Sequence, residues 1–234
     1  MDEAPALPPL AVDIDGTLTD ERRRLDHRVP PLLREWADAA PVVVATGKAL
    51  PYPVALCEFL GVPTTVVAEN GGAAYVERTD ELRYTGDREA ADAVAEEYAA
   101  AGYSLGWGGV DLANRWRETE LAVSREQPLE PLREAATRHG LEVVDTGFAY
   151  HVKSPDVDKG KGLAAVADSL GGDAGSFAVI GDSANDVAMF ERADVAYAVA
   201  NADEAARSAA DHVTERSYGD GFIEAVERIR AGVD

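Results

Sequence analysis

Four short runs of apolar, mostly β-branched residues limit what this chain can fold into. They are Leu10-Ala11-Val12, Val42-Val43-Val44-Ala45, Thr64-Thr65-Val66-Val67-Ala68 and Phe177-Ala178-Val179-Ile180. None shows the strict polar–apolar alternation of a half-exposed strand. A continuous apolar run reads as a strand buried on both faces, the condition of a parallel sheet covered by helices. Helical spacing fills the intervals, over about Pro30 to Ala40, Leu50 to Leu60, Asp158 to Leu170, Val187 to Arg192 and Phe222 to Ile229. Val195 to Val199 reads as one more strand.

Between Tyr75 and Ser154 the pattern changes. Helical segments Ala90 to Ala101 and Leu129 to His139 each stop at a glycine. Short strands are expected over Ser104 to Trp107, Glu118 to Ser124, Leu141 to Val144 and Ala149 to Lys153. Half-buried strands beside helices predict an antiparallel sheet in an α+β unit. The predicted organisation is an α/β core with a parallel sheet, from residues 1–76 and 155–234. An α+β domain of residues 77–154 is inserted into it.

Each apolar run ends in residues that can do chemistry. Asp13 and Asp15 follow the first, and residues two apart on extended backbone face one side. Two carboxylates held together repel unless a cation or shared proton lies between them. Mg²⁺, a hard ion that takes oxygen ligands and substrate phosphates, suits such a place. Thr46 and Gly47 end the second run, where ligands of α/β sheets bind; Thr46 could equally cap the following helix. Glu69-Asn70-Gly71-Gly72 ends the third, as a ligand loop or an ordinary turn. Asp182 ends the fourth, and a tight turn would bring Asp186 toward the same ion. At the start of a helix, Lys159 or Lys161 could neutralise a phosphate. Within the inserted unit, Asn114-Arg115-Trp116-Arg117-Glu118 carries two guanidiniums whose forks suit a carboxylate. Tyr150 and His151 lie at the exit of that unit.

The balance of 43 acidic to 22 basic residues gives a net charge of −21. A field of that sign repels nucleic acid and anionic membrane, so neither is an expected partner. An anionic substrate would need its own local cations. Only four basic residues are lysines, Lys48, Lys153, Lys159 and Lys161. Such an acidic, lysine-poor surface resembles that of proteins from salt-rich cytoplasm. No apolar run approaches the ~20 residues of a membrane span, and Met1 to Pro5 lacks the features of a secretory leader. The lone cysteine, Cys57, cannot form an internal disulfide. A cytoplasmic protein is expected, as a monomer or homodimer.

The string D-I-D-G-T-L-T from Asp13, Thr46, the K-G-x-G-L string from Lys159 and the G-D-x-x-N-D string ending at Asp186 occur in one order. Together they resemble the four motifs of the haloacid dehalogenase superfamily of phosphatases, over nearly the whole chain. Glu69-Asn70-Gly71 and the inserted position of the second unit resemble its Cof-like branch, with a C2-type cap. The resemblance implies a Mg²⁺-dependent phosphomonoester hydrolase acting through an aspartyl-phosphate. It implies Asp13 as nucleophile, Asp15 as acid and base, and Thr46, Gly47 and Lys159 as phosphate ligands, with Lys161 as the fallback lysine. Asp13, Asp15, Asp182 and Asp186 are the implied metal set, and Arg115 or Arg117 the implied contact to a substrate carboxylate. The small cap, the E-N-G-G turn and the N-R-W-R-E string most resemble archaeal phosphatases of 2-phosphoglycolate. Alternatives are a sugar-phosphate or mannosyl-3-phosphoglycerate phosphatase, a phosphomutase, or a catalytically silent binding protein of the same fold.

Overall fold

A computed structural model describes residues 7–232; the leader-free start read at Met1 to Pro5 lies outside them. One sheet of eight strands runs through the larger part. In chain order its strands are β1 (Leu10–Asp13), β2 (Val42–Ala45), β3 (Thr65–Ala68), β4 (Ala73–Val76) and β5 (Glu81–Tyr84), and later β9 (Ala178–Gly181), β10 (Val195–Ala198) and β11 (His212–Val213). Their spatial order is β11-β10-β9-β1-β2-β3-β4-β5. The first six in that order are parallel, whereas β4 and β5 form an antiparallel hairpin on one edge.

Successive residues of each parallel strand feed opposite layers, as a period of two requires. Leu10, Val12, Val42, Val44, Val66 and Ile180 pack beneath α1 (Val29–Ala37), α2 (Pro51–Leu60) and α8 (Tyr218–Ala231) through Leu33, Trp36, Leu60 and Phe222. Ala11, Val43, Ala45, Val67 and Val179 face Leu163 and Val166 of α5 (Lys159–Ser169), Met189 of α6 (Val187–Phe190) and Ala206 of α7 (Glu204–Ala209). The expected helix-covered parallel sheet is therefore present, with its chemistry-bearing strand ends along one rim.

A second, antiparallel sheet has the order β6-β8-β7, from β6 (Leu121–Ser124), β7 (Glu142–Asp145) and β8 (Ala149–Lys153). One face is covered by α3 (Arg88–Ala100) and α4 (Leu129–Arg138), with Val94, Tyr98, Leu132 and Ala135 against Leu121, Val123 and Val152. This is the cap. Two expectations are corrected here. Ser104 to Trp107 is irregular, because glycines at 106 and 108 take φ of +82° and +75° and interrupt extended pairing. The β4–β5 hairpin also keeps residues 81–84 in the large sheet, whereas the sequence pattern puts them in the inserted unit of residues 77–154. Among the described residues no helix is long and apolar enough to cross a membrane.

Candidate active site

The carboxyl ends of β1, β2 and β9 meet the start of α5. Asp13 is the last residue of β1 and is 5% exposed. The chain then leaves the strand through a tight turn, Ile14–Leu18, in which Gly16 takes φ +87°. That position requires glycine twice over. Its φ is unfavourable to L side chains, and a Cβ there would lie 2.8 Å from Asp182 Cγ. Asn201 fixes the turn from behind, its Nδ2 donating to the Gly16 carbonyl at 2.9 Å.

Lys159 is the first residue of α5 and has no exposed surface. The helix start is capped by the Asp158 carboxylate, which accepts from Lys161 N at 2.7 Å. Lys159 Nζ donates to Asp13 Oδ1 at 2.6 Å and to Asp186 Oδ1 at 2.7 Å. The fallback lysine, Lys161, turns outward to the Asp156 carbonyl at 2.8 Å. Only Lys159 is thus brought to the site.

Asp182 follows β9, and a single 3₁₀ turn, Ala184–Asp186, carries the chain back. Asp186 Oδ2 accepts from the backbone of Asp182 at 3.0 Å and of Ser183 at 3.1 Å, which fixes the turn. Carboxylate oxygens of Asp13, Asp182 and Asp186 come within 4.8 Å of one another. Burial pushes the Asp13 carboxyl up to about 7, Asp186 and Asp15 adding to the rise while Lys159 opposes it. Burial, with the charges of Asp13 and Asp186, pushes Asp182 up to about 9. Burial alone would discharge Lys159, but Asp13 and Asp186 outweigh it and hold its pKa above the ordinary lysine value. One ammonium thus bonds two of the three carboxylates, Asp13 and Asp186, and buried Asp182 Oδ1 has no hydrogen-bond partner. An all-oxygen donor set with a surplus of negative charge and one orphaned oxygen fits a hard divalent cation.

Asp15 stands outside this triad. The turn after β1 departs from extended geometry, with Gly16 at φ +87° and ψ −10°, and Asp15 Oδ2 pairs with Lys48 Nζ at 2.5 Å. Of the four acids expected from the motifs, the structure gathers Asp13, Asp182 and Asp186 and sets Asp15 apart from them. Thr46 sits at the end of β2, buried, its Oγ1 accepting from Lys48 N at 3.1 Å.

These groups floor a cavity of about 100 Å³ roofed by the cap. The core side is Asp13, Asp15, Thr46, Gly47, Lys48, Asp182, Ser183 and Asn185; the cap side is Arg117, Thr146, Phe148 and His151. A buried polar chain ties the two halves together. Asn185 Nδ2 donates to Asn70 Oδ1 at 3.0 Å, and Asn70 Nδ2 donates to Glu120 Oε2 at 3.0 Å. Glu120 also holds His151 Nδ1 at 2.8 Å and the Arg117 guanidinium. Burial would raise the Glu120 pKa, but His151 and Arg117 outweigh it and hold the carboxyl below its usual range. Glu69 adds a second strut, accepting from the backbone of Glu118 and Thr119 at 2.9–3.0 Å.

Arg117 therefore lines the cavity, whereas Arg115 does not. Arg115 is exposed and borders a separate cleft with Arg88 and Asp92. Residues two apart share a side only on extended backbone, and Leu112 to Trp116 form a turn. His151 is placed at the cavity wall and Tyr150 is not among its lining residues. Sequence reasoning missed Lys48, Glu120 and Phe148. Lys48 carried one available signal, a scarce lysine directly after Thr46-Gly47.

The chain matches the family model described as haloacid dehalogenase-like hydrolase over residues 10–98 and 125–226. It is 64% identical to the phosphoglycolate phosphatase of Haloarcula marismortui, covering 95% of this chain and 97% of that one. It is 61% identical to the phosphoglycolate phosphatase of Natronomonas pharaonis, with the same coverage. Among solved structures, protein 0175 of Thermoplasma acidophilum superposes with a TM-score of 0.81 at 25% identity, covering 95% of this chain and 98% of that one.

Proposed function

Because the chain belongs to the haloacid dehalogenase-like hydrolases, we propose that it is a Mg²⁺-dependent phosphatase hydrolysing 2-phosphoglycolate to glycolate and phosphate. The observation that carries the choice of substrate is the size of the cavity. Its volume of about 100 Å³ lies far below the roughly 300–1,000 Å³ of ordinary small-molecule pockets. A two-carbon phosphate ester suits that space, and a hexose phosphate or a mannosyl ester does not. The name carried by relatives that align over nearly the whole chain supports the same reading.

Phosphoryl transfer needs an in-line nucleophile, compensation for the equatorial oxygens and a proton for the leaving group. Asp13 attacks phosphorus, forming the aspartyl-phosphate as the bond to the leaving oxygen breaks. Asp15 gives that oxygen its proton, then takes one from the water that hydrolyses the intermediate. Lys159 holds Asp13 in position with a charge-assisted hydrogen bond of 2.6 Å. With the Thr46 hydroxyl and Gly47 it receives the phosphoryl oxygens. Asp13, Asp182 and Asp186 would hold Mg²⁺, which supplies charge compensation between the carboxylate nucleophile and an anionic ester. This reading carries a cytoplasmic location, where such esters arise and where buried Cys57 stays reduced.

The test is a panel of phosphate esters with purified protein, in Mg²⁺ and in a chelator, beside Asp13→Asn. A kcat/KM for 2-phosphoglycolate well above those for hexose phosphates and mannosyl-3-phosphoglycerate is expected, with all turnover lost in the variant. A preference for the larger esters would refute the substrate, and full activity of Asp13→Asn would refute the mechanism.

A further inference from the structure

The geometry points to Lys48 as the residue that recognises the carboxylate end of the substrate, an inference that rests on the phosphoglycolate reading above. A small ester with both a phosphate and a carboxylate needs cationic partners at two places. Lys159 supplies the first, from beneath the cavity, where it bonds Asp13 and Asp186. Among the described residues, the basic side chains that line the cavity are Lys48, Arg117 and His151.

Two of these three are already committed. Arg117 is 6% exposed and donates to Glu120, to the Gly47 carbonyl at 3.0 Å and to the Ala113 carbonyl at 2.9 Å. His151 is 2% exposed and bonded to the same glutamate. Moving either toward a ligand would take a partner from a buried carboxylate, which is unfavourable. The Arg117 charge is balanced inside the cap.

Lys48 is built differently. Its backbone is fixed, N donating to Thr46 Oγ1 at 3.1 Å and the carbonyl accepting from Glu69 N at 2.9 Å. Its ammonium makes an ion pair with Asp15 at 2.5 Å, between side chains 27% and 37% exposed. A partly exposed pair of that kind contributes little net stability, so an incoming carboxylate can replace Asp15 at small cost. A rigid base with an exchangeable tip suits a residue that meets ligand.

The position is also right for a two-carbon substrate. In the mechanism proposed above Asp15 serves the leaving oxygen. In 2-phosphoglycolate one methylene separates that oxygen from the carboxylate, so the carboxylate falls beside Asp15, where the Lys48 ammonium stands. The exchange moves the ammonium from Asp15 to substrate and leaves the Asp15 carboxyl free to approach the leaving oxygen. An ester without a carboxylate gains neither effect.

Lys48→Met and Lys48→Arg, assayed on 2-phosphoglycolate and on ethyl phosphate, test the assignment. Wild type should favour 2-phosphoglycolate. In Lys48→Met the ratio of the two kcat/KM values should fall about ten- to hundredfold, the size of one charge-assisted contact, with the loss mainly in KM. Lys48→Arg should retain most of the ratio. Turnover of ethyl phosphate shows in the same experiment that the variant is folded. If Lys48→Met weakens both esters equally, the assignment to the substrate carboxylate is wrong. If wild type itself does not distinguish them, the phosphoglycolate reading fails and this inference with it.

Discussion

Replacing Gly16 by alanine isolates the contact on which the metal site depends. The residue sits at φ +87°, where an L side chain costs about 1–2 kcal/mol. For a chain of this size each kcal/mol lowers Tm by roughly 2–4 °C, so a loss of about 2–8 °C is expected from strain alone. The contact adds a second effect. The new Cβ would collide first with Asp182 Oδ2 and would lie 2.8 Å from Asp182 Cγ, where ordinary contact begins at 3.4 Å, so the carboxylate must retreat by more than about 0.6 Å. Metal sites tolerate about 0.2 Å of ligand error, and disturbing what orients a ligand typically costs about 10–100-fold in affinity. The Mg²⁺ concentration for half-maximal activity should rise by that factor, with kcat partly recovering at saturation. Gly102→Ala is the control, because Gly102 has φ +90° and nothing within 4 Å of a Cβ. It should lower Tm and leave the Mg²⁺ requirement unchanged. A Gly16→Ala enzyme with wild-type Mg²⁺ dependence would show that Asp182 is not a metal ligand.

Three further outcomes are expected. Lys159→Met removes the only ammonium bonded to Asp13 and Asp186 among the described residues; urea unfolding in chelator at pH 8 should show a loss of about 3–5 kcal/mol, and an unchanged midpoint would contradict the pairing. Asp13 and Asp182, raised to about 7 and about 9 from 3.8, bind protons more tightly folded than unfolded, so the metal-free protein should lose stability as pH rises from about 4 toward 9. Mg²⁺ competes with those protons, so its gain in Tm should be larger at pH 8 than at pH 5; a gain that shrinks with rising pH would count against the carboxylate cluster as the binding site. Burial pushes the Cys57 thiol up to about 11, and a thiol-reactive disulfide reagent at pH 8 should label it only after denaturant is added.

Much of the core was legible because its signals are local. An unbroken apolar run fixes burial on both faces within four residues, and the end of such a run fixes where a functional side chain stands. That is why Asp13, Thr46 and Asp182 fall at the ends of β1, β2 and β9 as read. The hairpin strands β4 and β5 were less visible. β5 forms the sheet edge, where Glu81 to Tyr84 is half exposed and the apolar pattern fades, and β4 is joined to it by the hairpin.

What the linear chain determined, then, was the sheet, the rim on which chemistry gathers and the residue types gathered there. Which lysine enters, which arginine faces inward and which acid stands apart from the carboxylate cluster were decided by tertiary structure. Lys159 differs from Lys161 only in the side of α5 it occupies, and Asp15 leaves the cluster because a turn, not a strand, follows Asp13. The cap network joins Asn70 to Glu120, 50 residues away, and to His151, 81 residues away. No periodicity reports such a contact, because it exists only once two separately folded sheets bury the same charges against each other.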